Sequence, residues 1–307
     1  MDSTPSVALT PDAQAGLPER PPAPTRIGQA HFRWGSRTFL MGIINVTPDS
    51  FSGDGLLAEG GLDPAAAVAQ GLGMAAQGAD LLDIGGESSR PGHRAVPEEE
   101  ELRRTVPVVR ALRQALPHMP LSIDTTKPGV AQAALEAGAD MLNDIWGVSE
   151  SSDLARLAAD RDVPLVVMHN RAEARYRNLL AEVIADLSRA LDRALAAGLA
   201  WERLIVDPGI GFGKTAEQNL LLLRELPALA VLGRPILLGT SRKSTIGKVL
   251  DLPTDQRLEG TLATTALGIA GGADIVRVHD VEANRRAARM TDAIVRGGWH
   301  EARQGVP

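Results

Sequence analysis

Cysteine, aromatic residues and long apolar runs are absent or scarce in this chain of 307 residues. The chain has no cysteine, which excludes disulfides, thiolate catalysis and cysteine-ligated metals and fits a cytoplasmic protein. Aromatic residues make up 3% of the chain, so its core must consist mainly of Leu, Val, Ile and Ala. Such a core suits a buried parallel sheet covered by helices. No apolar run approaches the roughly 18 residues of a membrane span, so we expect no membrane segment.

Charge and N-terminal composition argue against a nucleic-acid-binding protein and against a secreted one. The net charge is 32 − 38 = −6 and there is no long basic run, so we expect no nucleic-acid partner. Residues 1–28 are rich in proline and hold little that could be buried, which predicts a disordered extension. They also lack the charged and apolar regions of a secretory signal. We expect one domain at residues 29–300, opened by a short hairpin over His31–Thr38.

Short apolar runs alternate with helical patterns along the rest of the chain. The runs are Phe39–Val46, Asp80–Gly86, Leu121–Thr125, Met141–Ile145, Leu165–His169, Leu204–Asp207, Pro235–Thr240 and Ile275–His279. The helical patterns are Pro64–Gln77, Glu98–Ala115, Gly129–Ala137, Asp153–Ala159, Asn178–Ala197, Gln218–Leu229, Arg257–Ala270 and Val281–Val295. Eight such alternations predict a closed (β/α)8 barrel, the TIM-barrel fold. An open doubly wound sheet would more often carry a glycine fingerprint in its first turn, which here reads Asn45-Val46-Thr47-Pro48.

Polar residues end every predicted strand. In chain order these ends carry Asn45, Asp83 to Arg90, Asp124, Asn143-Asp144, Met168-His169-Asn170, Asp207, Ser241-Arg242-Lys243 and Arg277 to His279. The carboxyl ends of barrel strands meet at one mouth, where barrel enzymes have their active sites. Helix capping would explain one or two of these residues, but not acids, amides and bases at seven or eight ends. We therefore predict a functional site at this mouth.

One part of this set suits a flat heterocycle with an amino–amide edge. The carboxylates of Asp124 and Asp207 accept hydrogen bonds, and Lys243 donates them. The Asn143 amide both accepts and donates. The stretch after Asp207 has glycines at alternate positions up to Lys214, which permits close approach of backbone to a ligand. It is no phosphate-binding P-loop, because that motif needs glycine where this chain has proline.

A second part suits an anion. Asn45, Arg90, Arg277 and His279 come from the first, second and eighth strand ends, which are neighbours in a closed barrel. Arginine binds phosphate oxygens with two parallel hydrogen bonds. A heterocycle beside a phosphate suggests a transferase that releases phosphate or diphosphate. A zinc site is excluded, because the histidines lack the spacing of zinc ligands.

These residues carry a resemblance to the dihydropteroate synthase family over about residues 38–296. Its motifs occur in the family's order and spacing at residues 42–52, 85–92, 122–125, 143–147, 168–171, 207–214, 241–243 and 277–280. The resemblance implies a TIM barrel that condenses 6-hydroxymethyl-7,8-dihydropterin diphosphate with 4-aminobenzoate to give 7,8-dihydropteroate and diphosphate. It also implies magnesium, a homodimer formed through the later helices, and a mechanism in which diphosphate leaves first.

The resemblance further implies roles for individual residues. The pterin would be bound by Asp124, Asn143, Met168, Asp207, Phe212, Gly239, Lys243 and Arg277. The aminobenzoate pocket, which sulfonamides occupy, would comprise Phe51, Ser89, Arg90, Pro91 and Ser241. Catalysis would depend on Asn45, Arg90, Lys243, Arg277 and His279, with Asn45 also a magnesium ligand.

Two positions depart from the family pattern, and two rival functions remain. Ser89 stands where many members have threonine, and Asp54 is shifted by one residue from the usual aspartate of the first loop. One rival is a pterin-binding methyltransferase module, which would not need the loop around Arg90 or the run ending in Lys243. The other is a silent paralogue that binds pterin without turnover, favoured only by the shifted Asp54.

Overall fold

Eight short parallel strands form one sheet that closes on itself. They are Phe39–Asn45 (β1), Leu81–Gly85 (β2), Leu121–Asp124 (β3), Met141–Asp144 (β4), Leu165–Met168 (β5), Leu204–Asp207 (β6), Leu237–Leu238 (β7) and Ile275–Val278 (β8). The computed structural model describes residues 21–47, 57–58, 61–62, 64–87, 95–147, 151 and 153–297. Strands β1 to β6 pair in chain order, and β8 pairs with β1 and β7. A parallel bridge between Val206 and Ile236 closes the barrel.

Helices connect the strands and surround the sheet. They are Pro64–Gln77 (α1), Glu98–Ala115 (α2), Pro128–Ala137 (α3), Asp153–Asp160 (α4), Leu179–Ala196 (α5), Ala216–Arg224 (α6), Ser244–Leu250 (α7), Leu258–Ala270 (α8) and Val281–Val295 (α9). Short 3-10 segments lie at Trp201–Arg203, Leu226–Leu232 and Thr254–Gln256. Two-stranded pairs form at Thr25–Ile27 with Ala30–Phe32, and at Leu57–Ala58 with Gly61–Leu62.

Alternate residues of each strand face opposite sides of the sheet, which creates two apolar clusters. One cluster packs the outer face of the sheet against the helices and includes Leu82, Ile123 and Val206. The other fills the barrel interior with Met41, Leu81, Phe39, Met141, Val166, Ile205, Leu237 and Ile275, among others. Residues two positions further along a strand from an interior residue therefore also point inward, toward the mouth.

A hairpin of residues 25–32 covers the N-terminal end of the barrel. Ile27 and Phe32 join the interior cluster, together with the buried Trp34. The Trp34 Nε1–H donates to Thr25 Oγ1 at 3.0 Å, and Thr25 Oγ1 donates to the Glu202 carbonyl oxygen at 2.8 Å. The hairpin thus ties the start of the domain to the segment that precedes β6.

The structure confirms the predicted (β/α)8 barrel, and it corrects three details. The hairpin lies at residues 25–32 rather than at His31–Thr38. Thr25 and Ile27, assigned to the disordered extension, are buried and belong to the folded domain; residues 1–20 lie outside the described part. Helix α7 (Ser244–Leu250) was not predicted, because its seven residues are too few to show a helical period. Across the described residues, no helix has the length and apolar character that a membrane span needs.

We predict that Trp34→Ala lowers the free energy of unfolding by about 3–5 kcal/mol, because it removes a large buried side chain. Urea unfolding monitored by circular dichroism measures the change. Val231→Ala, at a position 74% exposed, is the control and should cost less than about 0.5 kcal/mol. Equal stability of the two variants would show that Trp34 does not contribute to the core.

Candidate active site

The polar residues at the barrel mouth stand directly above the interior apolar cluster. Asn143, Asp207 and Arg277 lie two positions after Met141, Ile205 and Ile275, which belong to that cluster. Asp83 follows Leu81, and Asp124 follows Ser122, in the same way. Strand alternation therefore turns all of these side chains into the barrel, where charged groups must find partners among themselves.

Arg277 on β8 connects three strands across the barrel interior. Its Nε–H donates to Asp83 Oδ2 at 2.6 Å, and its Nη2–H donates to Asp124 Oδ2 at 2.8 Å. Asn143 on β4 donates its Nδ2–H to the same Asp83 oxygen at 3.0 Å. The Asp83 carboxylate, which is fully buried, therefore holds both the guanidinium and the amide. With its nitrogen so occupied, the Asn143 amide keeps its oxygen as an acceptor.

Burial and charge shift the pKa values of these groups. Burial raises the pKa of Asp124 to about 7; Arg277 opposes this shift, and the charge of Asp83 adds to it. Burial alone would lower the pKa of Arg277, but the facing carboxylates of Asp83 and Asp124 outweigh it and raise that pKa. Arg277 therefore stays charged, and the pKa of Asp124 lies near neutral pH.

Asp207 begins the glycine-rich loop, residues 207–214, which follows β6. Its Oδ1 accepts a hydrogen bond from the Gly209 backbone N–H at 2.7 Å, and burial raises its pKa despite the charge of Lys243. Gly209 has φ +69°, and a Cβ there would lie 1.8 Å from the His169 carbonyl oxygen. Gly213 has φ +54°, and its Cβ would lie 2.2 Å from the Arg171 carbonyl oxygen. Glycine is therefore required at both positions.

Lys243, the residue preceding α7, approaches the glycine-rich loop from the β7 side. Its Nζ donates to the Ile210 carbonyl oxygen and lies 4.4 Å from the centroid of the Phe212 ring. Burial lowers the pKa of Lys243 to about 8, although Asp207 opposes this shift. A Cβ on Gly239 would lie 3.7 Å from Lys243 Nζ and 3.9 Å from Arg277 Cβ, so Gly239 lies beside the Lys243 ammonium group and the base of the Arg277 side chain. Met168, at the end of β5, is 2% exposed.

The ends of β7 and β8 are tied together beside this group. Ser241 Oγ lies 2.9 Å from His279 Nδ1 and accepts a hydrogen bond from the His279 backbone N–H at 3.2 Å. Arg242 forms a two-pronged pair with Asp280, Nε to Oδ2 at 3.0 Å and Nη2 to Oδ1 at 2.6 Å. Asn45 ends β1, which pairs with β8.

The structure thus brings most of the predicted residues to one mouth. Those that it describes are Asn45, Asp124, Asn143, Met168, Asp207, Phe212, Gly239, Ser241, Lys243, Arg277 and His279. Phe51, Asp54, Ser89, Arg90 and Pro91 lie outside the described residues.

Asp83 is the residue to which the sequence analysis gave no role. A lone acid between Leu82 and Ile84 in the middle of an apolar run was the available signal. An ionisable residue at an inward-facing strand position needs a buried partner, and Arg277 supplies it.

Among the described residues, no three histidines, aspartates or glutamates form a group that could hold a metal ion. This does not conflict with the implied metal, because magnesium usually takes one or two protein ligands and completes its shell with phosphate oxygens and water. The Asn45 side-chain oxygen is of the type that magnesium prefers.

Comparisons with known proteins fit this geometry. Residues 41–279 match the family described as pterin binding enzyme. A dihydropteroate synthase from Clostridium beijerinckii is 50% identical over 272 residues, which are 88% of this chain and 99% of the relative. A solved dihydropteroate synthase from Xanthomonas albilineans with 4-aminobenzoic acid is 41% identical, with a TM-score of 0.81 over 93% of this chain and 100% of that one. The same protein in complex with 7,8-dihydropteroate gives a TM-score of 0.76 at 38% identity, over 92% and 99% of the two chains.

The fold, the inward-facing polar residues and the family match define a pterin-binding barrel enzyme. Within that class, the chain belongs to the dihydropteroate synthase family.

We predict that Asp83→Asn lowers the pKa of Asp124 below about 7, because the charge of Asp83 is one cause of its raised value. Carbon NMR titration of the labelled carboxyl groups measures the pKa. Asp140→Asn, at the opposite end of β4 from the mouth, serves as the control and should leave the pKa of Asp124 unchanged. An unchanged or higher pKa of Asp124 in the Asp83→Asn variant would contradict the arrangement in which Asp83 and Asp124 share the Arg277 guanidinium.

Proposed function

We propose that this chain condenses 6-hydroxymethyl-7,8-dihydropterin diphosphate with 4-aminobenzoate, giving 7,8-dihydropteroate and diphosphate. The observation that carries the proposal is the group formed by Asp83, Asp124, Asn143 and Arg277, facing Asp207 and Lys243 across one barrel mouth. Relatives of the same family, solved with 4-aminobenzoic acid and with 7,8-dihydropteroate, support the choice of substrates.

In this proposal the pterin ring lies between Met168, Phe212 and Gly239, with its polar edge toward the acids. The carboxylates of Asp124 and Asp207 accept hydrogen bonds from ring and amino N–H groups, and Lys243 donates to the ring carbonyl or a ring nitrogen. Because the Asn143 nitrogen is engaged by Asp83, its oxygen serves as one more acceptor. This set matches a ring edge rich in N–H donors.

The charges of the site favour departure of diphosphate before the amine attacks. The carboxylates of Asp124 and Asp207 would face the ring in this proposal. Their charge stabilises positive charge that develops on the pterin methylene carbon when the carbon–oxygen bond breaks with both electrons leaving on diphosphate. The arylamine nitrogen then forms the new bond and loses its proton to solvent or diphosphate. No side-chain nucleophile is needed.

The leaving group would be held at the junction of β8, β1 and the loop that follows β2. Arg277 there presents a planar guanidinium, and Asn45, His279 and Arg90 complete the anion site in the proposal. Asn45 would hold magnesium together with the diphosphate oxygens, and the ion would neutralise charge on the departing group. The aminobenzoate would bind beside Ser241 with Phe51, Ser89, Arg90 and Pro91.

A steady-state assay with both substrates and magnesium tests the function, with release of diphosphate and formation of dihydropteroate as readouts. The proposal expects both products in equal amounts. Pterin binding without diphosphate release would favour the silent paralogue. Transfer of a methyl group from methyltetrahydrofolate to a corrinoid protein, without dihydropteroate formation, would favour the methyltransferase module.

We predict that Arg277→Lys lowers turnover by about a hundredfold or more, with little change in melting temperature. Lysine keeps a charge between the two carboxylates but loses the planar fork that meets both of them and the ring face. Stopped-flow assay of diphosphate release measures the rate. Arg37→Lys, which alters an arginine–aspartate pair at the other end of the barrel, is the control. Wild-type turnover in the Arg277 variant would show that its role is structural.

We further propose that two copies of the chain associate through α8 and α9. Leu267 on α8 is 67% exposed, and Met290 and Ile294 on α9 are 62% and 70% exposed. Met290 and Ile294 are four residues apart and share one helix face. Exposed apolar side chains on neighbouring helices are typical of subunit interfaces. A cytoplasmic location of the chain also stays a prediction.

We predict that Ile294→Glu converts a dimer to a monomer, because it places a charge in an apolar contact that excludes water. Sedimentation velocity at several protein concentrations measures the molecular mass. Val231→Glu changes an equally exposed apolar residue away from these helices and should leave the dimer intact. A monomeric wild type would refute the proposed association.

A further inference from the structure

Side chains satisfy the backbone carbonyl groups of the glycine-rich loop from two sides. From the β7 side, Lys243 donates to the Ile210 carbonyl oxygen. From the β5 side, where its Nζ meets His169, Lys214 donates to the carbonyl oxygens of Gly209 and Phe212, both at 3.0 Å. Exposed turns usually bind water through such groups. Here the protein fixes them, so the loop shape is determined by side chains.

The Lys214 ammonium group uses all three of its N–H donors within the protein. The third partner is His169 Nδ1, at 2.9 Å. Because an ammonium group can only donate, Nδ1 must be the unprotonated ring nitrogen. The ring proton is then on Nε2, which lies 3.1 Å from Asp186 Oδ2 on α5. Asp186, His169 and Lys214 therefore form one chain of hydrogen bonds that ends on the glycine-rich loop.

Burial and neighbouring charges shift the pKa values of both residues. Burial, reinforced by Lys214, lowers the pKa of His169 to about 4, so the ring is neutral at physiological pH. Burial also lowers the pKa of Lys214 to about 7, against the opposing effect of Asp207, so the ammonium form with three donors predominates below that pH. Arg171, which donates to Asp186 at 2.7 and 2.9 Å, holds the far end of the chain in place.

We propose that Lys214, supported by His169 and Asp186, is a positioning residue for the pterin half of the site. It holds the carbonyl groups of Gly209 and of Phe212 itself, and its loop begins at the Asp207 carboxylate. Loss of Lys214 would remove the Nζ donor from the Phe212 carbonyl oxygen, leave the Gly209 carbonyl oxygen with the Phe212 N–H at 3.1 Å, and free the loop to change shape. The inference rests on the proposed function, because the pterin is the ligand that Phe212 and Asp207 would contact.

A direct role for Lys214 in binding diphosphate is the alternative, since lysine after a glycine-rich loop resembles a phosphate-binding motif. The geometry argues against it, because His169, Gly209 and Phe212 take all three donors. Lys214 also lies beside His169 at the end of β5, whereas Arg277 lies on β8, which pairs with β1.

Calorimetric titration with 6-hydroxymethyl-7,8-dihydropterin diphosphate and magnesium, without aminobenzoate, tests the proposal. We predict that Lys214→Met, which keeps the chain length but has no donor, weakens pterin binding about tenfold or more. The KM for aminobenzoate, measured at saturating pterin, should change less than about threefold. Lys248→Met, on the exposed face of α7, is the matched control and should change neither value.

A purely structural role would lower the melting temperature but leave the pterin Kd of the folded protein unchanged, and that result would overturn the proposal. Equal weakening for both substrates would overturn it as well.

Tyr176→Phe keeps the test decisive if Lys214→Met does not fold. It removes only the hydroxyl that donates to the Gly213 carbonyl oxygen at 2.9 Å, and it should weaken pterin binding by a smaller factor. Unchanged pterin binding in Tyr176→Phe would then refute control of the site by the loop. If the wild type binds pterin but releases no diphosphate, the proposed function fails while this comparison still decides the role of Lys214.

Discussion

The rest of the site depends on the pairing of one guanidinium with two carboxylates inside the barrel. An arginine placed in this interior cannot lose its proton, so its charge must be balanced by acids within hydrogen-bond reach. Asp83 and Asp124 meet that need from β2 and β3, at 2.6 and 2.8 Å from Arg277. The same pairing keeps the two acids close together, which helps raise the pKa of Asp124 to about 7. In the proposed function, Asp124 therefore serves both charge balance and substrate recognition.

Strand alternation explains why these groups are so near one another. Register pairs Gly85 on β2 with Asp124 on β3, and Asp124 with Asn143 on β4. Gly85 has no side chain, and a Cβ there would lie 3.7 Å from Asp124 Oδ2, the oxygen that accepts from Arg277. The apolar cluster below excludes water from this layer, which strengthens each electrostatic interaction in it. A rigid floor of this kind needs little rearrangement when a flat ligand binds.

The order of strands and helices was largely predictable from the sequence, because apolar runs and helical periods are local properties. Helices α1, α2 and α9 begin and end at the predicted residues. The residues of the barrel mouth were predictable for the same reason, because they follow the ends of the predicted strands. Asp83 was not predictable in its role, since its partner Arg277 is 194 positions away. Nor was the orientation of the Asn143 amide, which depends on Asp83. The link from Lys214 to His169 likewise joins residues that are separate in sequence and meet only because β5 and β6 are adjacent.

The glycine-rich loop shows how a flexible sequence can become a fixed surface. Its positive φ angles at Gly209 and Gly213 are open only to glycine in the space available, so the backbone itself contributes little rigidity. Rigidity comes instead from hydrogen bonds. Lys243 and Lys214 hold the loop carbonyl groups, Asn219 Oδ1 accepts from the Gly211 N–H at 2.8 Å, and the Phe212 N–H donates to the Gly209 carbonyl oxygen at 3.1 Å. One of these lysines faces the site with the Phe212 ring beside it, and the other is bound to His169. Lys243 and Lys214 look alike in the sequence, because each is a lysine next to a glycine-rich or polar turn. In the structure Lys243 faces the candidate site, whereas Lys214 supports the loop. The number of free donors decides between these roles, because an ammonium group with three protein partners has none left for a substrate.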